Sequence, residues 1–335
     1  MKRVFITGIA GFIGYHLAKL LLEEGYSVIG VDNINDYYSV QLKYDRLVQL
    51  GLRKNGKNWE SNNNRLTFFE SNLSDKNKLK ELFQSHQINC VVHMAAQAGV
   101  RYSLKNADAY VQSNLVEFVN LCEAVKDAKI GNFIFASSSS VYGNNNELPY
   151  TEKHSTSAPV SLYGATKKAN EVIGHSYASL YGIRTSALRF FTVYGEWGRP
   201  DMAYFSFSDK IMEGSPIQIF NNGNLSRDFT YIGDIVKSIK LLVEKRNSDD
   251  GLSGFELFNI GNSNPVELKD FIHTLEHVLG KEAKKTYLEM QDGDVYHTYA
   301  DTSKLEKFIG FSPEVPLHEG LKKFVTWYKD YYTKK

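Results

Sequence analysis

A glycine triplet near the start of the chain restricts its fold more than any other feature. Thr7-Gly8-Ile9-Ala10-Gly11-Phe12-Ile13-Gly14 spaces glycines as GxxGxxG between the apolar run Val4-Phe5-Ile6 and a segment from Phe12 to Glu24 with apolar residues at helical spacing. A strand, a glycine turn and a helix in that order make the first half of a βαβ unit. The first glycine permits the sharp turn, the second lets the backbone approach a pyrophosphate, and the third lets the helix pack closely while its N-terminal amides face the anion. The next apolar run, Ser27 to Val31, supplies the second strand and is followed by Asp32. A carboxylate there can accept both ribose hydroxyls of an adenosine and repels a 2′-phosphate, which favours NAD over NADP.

The alternation continues. Val91-Val92-His93-Met94, Asn132 to Ala136 and Thr185 to Phe190 read as buried strands, with helical patterns at Ala107 to Lys126 and Thr166 to Tyr181 between them. The fold class is therefore α/β: a Rossmann-like doubly wound parallel sheet with a smaller, interleaved C-terminal substrate lobe. Residues 1–190 are assigned to the dinucleotide domain, with 228–260 returning to it, and 191–227 with 261–335 to the second lobe. Leu42 to Leu66 reads as a helical start followed by an exposed loop, and Asn247 to Gly254 as a polar connector. Amphipathic helices over Leu268 to Leu279 and His318 to Tyr328 suit the smaller lobe.

Formal net charge is +1 from 39 basic and 38 acidic residues, so the chain lacks the electrostatic footprint of a nucleic-acid or membrane-surface binder. An anionic ligand must be met by local groups. The two cysteines, Cys90 and Cys122, lie in apolar stretches and suggest buried free thiols in a reducing compartment. With no secretory leader pattern and no run of roughly 18 apolar residues, a cytoplasmic, soluble protein is expected.

Ser161-Leu162-Tyr163-Gly164-Ala165-Thr166-Lys167 then suggests hydride chemistry. A tyrosine and a lysine four apart on a helix share a face, so the ammonium can favour the phenolate and make a general base of a group whose free pKa is about 10. The spacing recurs at Tyr331 and Lys335, in a tail that looks frayed, so context decides.

With glycine loop, serine run and Tyr-x-x-x-Lys in this order, essentially the whole chain resembles the extended short-chain dehydrogenases/reductases. The resemblance implies that Ser138 hydrogen-bonds the reacting sugar oxygen, Tyr163 shuttles its proton and Lys167 holds the nicotinamide ribose. It also implies NAD contacts from Phe12, Ile13, Asn33, Asn72, Leu73, Ala95, Ala96 and Phe190. The segments His93 to Ser103, Leu188 to Gly195, Trp197 to Ala203 and Arg227 to Tyr231 are similar to those of the nucleotide-sugar epimerases within that family, nearest the bacterial UDP-glucuronate 4-epimerases of the capsule-biosynthesis type. In that subgroup Arg227 and Asp294 correspond to residues that hold the diphosphate and uridine ribose, and the segment Gln218 to Phe220 to the one that receives the uracil. Asn72 stands where the family usually has an acid facing the adenine amine, although an amide oxygen can serve the same donor. Gln291 stands where UDP-galactose 4-epimerases commonly carry an arginine.

The implied reaction oxidises C4 of a UDP-sugar with tightly held NAD, lets the ketone turn, and reduces its other face. Related 4,6-dehydratases need an acid/base pair at the positions of Ser139 and Ser140, and UDP-glucuronate decarboxylases a glutamate at Ser140, so both readings weaken. A 4-keto glucuronate is a β-keto acid, so an epimerase must keep its carboxylate from aligning for loss of CO₂. Arg199 with Thr192 is the first choice to hold that carboxylate, and Arg101 the second. The resemblance further implies a homodimer through a four-helix bundle of the 107–126 and 166–181 helices. The HxxEH spacing of His273, Glu276 and His277 is set aside as a metal site, since no third ligand is evident. A non-catalytic NAD-binding sensor is the alternative of a different class, and the set Ser138, Tyr163 and Lys167 argues against it.

Overall fold

In the computed structural model, which describes residues 2–247, 254–291 and 295–333, the glycine loop leads into a three-layer α/β/α body. Seven strands form its central sheet: β1 Arg3–Thr7, β2 Ser27–Asp32, β3 Leu66–Glu70, β4 Cys90–His93, β5 Asn132–Ser138, β6 Arg184–Phe190 and β7 Phe255–Ile260. All pair in parallel, in the spatial order β7-β6-β5-β4-β1-β2-β3. Strand order reverses between β1 and β4, and a ligand crevice is expected at the carboxyl ends of such a pair. The strands are apolar on both faces because helices cover both. On one face Leu17 and Leu21 of α1 (Phe12–Glu23) join Ile235 and Ile239 of a later helix, Ile232–Asn247. On the other, Leu79 and Leu82 of Lys76–Ser85 join Phe118 and Leu121. Each such side chain contributes about 1.5–3 kcal/mol by leaving water.

Two predicted helices differ in detail. The Ala107 to Lys126 helix runs as Ala107–Tyr110, Val111–Val116 and Glu117–Asp127, with a π-helical middle segment. The helix carrying Tyr163 begins four residues before the expected Thr166, at Leu162, and runs to Tyr181. Ser161 starts it: its Oγ accepts the Gly164 amide at 3.0 Å, satisfying one of the first-turn donors. Gly182, at φ +66°, ends it in the left-handed conformation that glycine adopts without strain. The expected exposed loop after Val40–Gln49 is instead a hairpin, Leu52–Asn55 paired with Asn58–Ser61. Its two turn residues are Gly56, at φ +60°, and Lys57, a glycine-first turn that suits a hairpin.

The smaller lobe has its own core, in which Phe229 stacks on Phe271 at 4.4 Å and Phe324 packs edge-on to Tyr204. Its C-terminal helix, Leu317–Thr333, is not a frayed tail: Tyr331 stacks on Trp327, lies edge-on to Trp197, and donates to Asp45 across the lobes. Lys335 and most of the 247–254 connector lie outside the described residues. The chain also returns to the large sheet late, since Leu305 and Ile309 of Ser303–Ile309 pack in the same core as β7.

A buried polar network locks the Leu162–Tyr181 helix to the sheet. Arg189 of β6 meets Glu171 of that helix through two bonds, Nε to Oε1 at 2.8 Å and Nη2 to Oε2 at 2.9 Å, with both side chains almost fully buried. Ser137 of β5 donates to Glu171 at 2.7 Å, and Arg189 also donates to Tyr142, which donates to Asn259 of β7. Removing Arg189 leaves Glu171 with Ser137 and the partly exposed Lys168 ammonium at 3.3 Å, so the cost approaches that of breaking a buried pair, about 3–5 kcal/mol. Arg189→Met is therefore expected to lose about that much in urea unfolding, while Arg189→Met with Glu171→Leu recovers a large part of it. A double variant no more stable than the single one refutes the pair as the source.

Candidate active site

The glycine loop takes its shape from contacts that exclude larger residues. Gly8 sits at φ +72°, and a Cβ there would lie 2.7 Å from the Ala95 amide nitrogen. At Gly14 a Cβ would lie 2.1 Å from the Gly8 carbonyl oxygen, so helix and loop approach as closely as glycine allows. No side chain caps α1, whose first residues Phe12, Ile13 and Gly14 line the pocket with Gly11. The loop is tied to its neighbours by the Gly8 amide on the Val31 carbonyl at 2.8 Å and by Thr7, whose Oγ1 accepts from Ala95 and contacts His93 Nδ1 at 2.7 Å.

From this loop a cavity of about 430 Å³ runs to the smaller lobe, large enough for a ligand to be enclosed. It collects nearly every residue singled out in the sequence. Asp32, Asn33, Asn72 and Leu73 line one end, Ala95 and Ala96 the middle, and Ser138, Ser139, Ser140, Tyr163, Lys167, Phe190, Thr192, Arg199 and Arg227 the other. The cavity does not take in Gln218, Phe220 or Arg101. Gln218 is exposed on Ile217–Phe220, and Phe220 lies beneath the Arg101 guanidinium at 4.9 Å. Asp294 lies outside the described residues.

The Asp32 carboxylate is oriented by the Ala10 amide at 3.0 Å and the Ile34 amide at 2.9 Å. Each oxygen keeps a lone pair for a hydroxyl. Burial raises its pKa, opposed by the nearby Lys43 ammonium and by those amides. Asn72 Oδ1 accepts the Ser74 amide at 3.4 Å and keeps a second lone pair toward the cavity.

At the far end Ser138 closes β5, and its Oγ accepts the Ser140 amide and donates to Ser140 Oγ, both at 3.2 Å. Burial raises the Tyr163 pKa, while a hydrogen bond from Ser138 and the Arg199 charge favour the phenolate. Burial pulls the Lys167 pKa down to about 8, and its ammonium donates to the Ala136 carbonyl at 2.8 Å, with two donors left over. The cation whose charge lowers the Tyr163 pKa here is the Arg199 guanidinium. That guanidinium is held by a two-point bond to Asp201, at 3.1 and 2.9 Å, and Tyr37 also donates to Asp201.

Residues outside the predicted set position Arg199. Arg46, fully buried, donates to the Ala10 carbonyl and to Tyr38, and through Nε and Nη2 to the carbonyls of Trp197 and Gly198. Among the described residues it meets no carboxylate. His16 adds a 2.8 Å contact to the Glu196 carbonyl. Trp197 adopts φ +56°, uncommon for a non-glycine residue, and a Cβ on Gly198 would lie 1.8 Å from the Tyr204 hydroxyl. These ties join segments far apart in sequence, and no local pattern announces them.

The chain matches the model of the NAD dependent epimerase/dehydratase family over residues 4–261. Protein CapI of Staphylococcus aureus is 46% identical, over 99% of this chain and 100% of that protein. The probable UDP-glucuronate 4-epimerase of Rhizobium meliloti is 43% identical, over 98% of each chain. The structure of UDP-glucuronic acid 4-epimerase from Bacillus cereus, in complex with UDP-glucuronic acid and NAD, superposes with a TM-score of 0.89 at 34% identity, over 98% of this chain and 100% of that one.

Burial lowers the pKa of both His93 and His16 to about 3, the Lys167 charge adding to the effect at His93 and the Glu196 carbonyl opposing it at His16. Unfolded histidine titrates near 6.5, so between about pH 6.5 and 3 the unfolded chain binds more protons and stability falls as pH falls. Urea unfolding from pH 7 to 4 is expected to show that loss, and His93→Asn to flatten it in part, His16 supplying the remainder. An unchanged slope in that variant contradicts a buried neutral His93.

Proposed function

The chain belongs to the NAD dependent epimerase/dehydratase family, and we propose that it interconverts UDP-glucuronate and UDP-galacturonate by transient oxidation at C4. The observation that carries this reading is the far end of the cavity. Ser138 and Tyr163 stand beside an arginine that already grips a carboxylate, that of Asp201, and the surrounding Ser139, Ser140 and Thr192 offer hydroxyls. A carboxylate-bearing sugar suits such a wall, whereas an elimination would need an acid and a base where the serines stand.

NAD fits the cavity because Gly8 and Gly14 let the loop pack so closely on Ala95 and on the helix that Gly11, Phe12 and Ile13 line the pocket, and because Asp32 is oriented with lone pairs to spare. Gly11, Phe12 and Ile13 would hold its pyrophosphate, Asp32 a ribose, and Lys167 the nicotinamide ribose. When bound, it supplies the acceptor and donor of hydride at C4. Tyr163 takes the proton of the 4-hydroxyl and returns it after the ketone has turned, and Ser138 hydrogen-bonds the same oxygen. Arg199, with Thr192, holds the sugar carboxylate out of alignment with the ketone; Arg227 meets the diphosphate.

We extend the proposal to a cytoplasmic homodimer. The buried free thiols Cys90 and Cys122 suit a reducing compartment, and among the described residues no helix is long and apolar enough to cross a membrane. Val111 and Val116 on one helix, with Val172, Leu180 and Tyr181 on the other, are exposed apolar side chains on the two helices assigned to the bundle. Leu180→Glu is expected to turn a dimer into a monomer in sedimentation equilibrium; a wild type that sediments as a monomer refutes the assembly.

Incubation with UDP-glucuronate and no added cofactor, followed by NMR, is expected to give UDP-galacturonate. UDP-xylose would mark a decarboxylase, and no conversion of any UDP-sugar a binding protein. Arg199→Ala is expected to slow epimerisation about 10- to 100-fold, the worth of a hydrogen bond to a charged group, and to release UDP-pentose. Unchanged turnover without pentose removes Arg199 from carboxylate binding.

A further inference from the structure

Glu117 is a buried carboxyl that nothing in the protein satisfies. It is 5% exposed and opens the Glu117–Asp127 segment directly after the π-helical turns. Among the described residues it has no hydrogen-bond or ion-pair partner, yet it lines the cavity. Burial raises its pKa to about 7. Leaving such a group unpaired costs stability, so its presence in a ligand cavity points to a ligand donor.

Its place identifies the end of the cavity it serves. Asn120, one helical turn on and on the same face, donates to the Leu73 carbonyl at 3.2 Å, and Ser113, one turn back, also lines the cavity. The Asn120 bond sets this face of the helix beside the Asn72–Leu73 corner, which lines the same cavity as Glu117. With a pyrophosphate on the glycine loop and a ribose on Asp32, the adenine belongs at this corner. Its edge carries an amine that needs an acceptor and a ring nitrogen that needs a donor. Asn72 Oδ1 already accepts the Ser74 amide at 3.4 Å and keeps one lone pair, while its Nδ2 remains a donor for the ring nitrogen.

We infer that Glu117 is the acceptor for the adenine amino group of the dinucleotide, with Asn72 donating to the neighbouring ring nitrogen. The inference rests on the dinucleotide reading of the cavity and not on the identity of the sugar. Hypoxanthine presents a carbonyl oxygen and an N–H at those two positions, so the pair rejects it on both counts.

The test is a competition on the full chain. The protein is exchanged with an equal excess of NAD and its hypoxanthine counterpart, freed of unbound nucleotide and denatured, and the released dinucleotides are quantified by chromatography. The wild type is expected to retain the adenine form by tenfold or more, roughly the worth of a hydrogen bond to a charged group. Glu117→Leu is expected to lower the ratio several-fold, leaving the part that Asn72 supplies, with an equal or higher melting temperature, and Glu117→Gln, whose amide oxygen still accepts, to keep more of the preference. A wild type that retains both equally, or a Glu117→Leu protein with the wild-type ratio, overturns the assignment. Retention of neither dinucleotide by the wild type overturns the reading of the cavity, and the assignment with it.

Discussion

The Arg189–Glu171 ion pair is the constraint on which the reacting end of the cavity depends. Tyr163 and Lys167 stand on one helix and Ser138 on a strand, so their relative placement is only as exact as the join between helix and sheet. Apolar packing fixes that join loosely, since side chains can slide by a fraction of an ångström at small cost. A forked guanidinium–carboxylate contact has a plane and a direction, and Ser137, next to Ser138, shares the same carboxylate. The network sets the strand end and the helix face together, and Tyr142 carries it to β7.

Electrostatics at the two ends of the cavity are opposite in character. Near Tyr163 the fixed charges are cationic, with Arg199, Arg227 and Lys167 in the wall, whereas the far corner holds the carboxylates of Asp32 and Glu117. A balanced total charge conceals this gradient. A dinucleotide and a nucleotide sugar, both anionic at their phosphates, can be held at one site because glycine-loop amides, rather than side-chain cations, face the first pyrophosphate.

What was legible in the sequence was local. Gly8, Gly11 and Gly14 work within one turn, and Tyr163 and Lys167 within one helical turn, so spacing alone exposes them. Sheet strands were legible for the same reason, as short runs of Val, Ile and Phe between turn residues. What escaped was of two kinds. Arg46 meets Trp197 across 151 positions and Arg189 meets Glu171 across 18, and no pattern in either segment names its partner. Other residues make contacts that no local pattern names: the Lys167 ammonium meets the Ala136 carbonyl, Asn72 Oδ1 accepts the Ser74 amide, and Phe220 lies under Arg101 off the main cavity.

The Arg46 contacts have a consequence for how the sequence can drift. The arginine bridges the two lobes by gripping main-chain oxygens of Ala10, Trp197 and Gly198. Every residue type carries such an oxygen, so those four bonds do not read the identity of the three positions they clasp. What restricts the strap is separate from these bonds: Gly198 has no room for a Cβ beside the Tyr204 hydroxyl, and Trp197 packs on Tyr15 and Trp327. For the bonds themselves, the demand on identity falls on Arg46, whose rigid planar fork no other side chain reproduces.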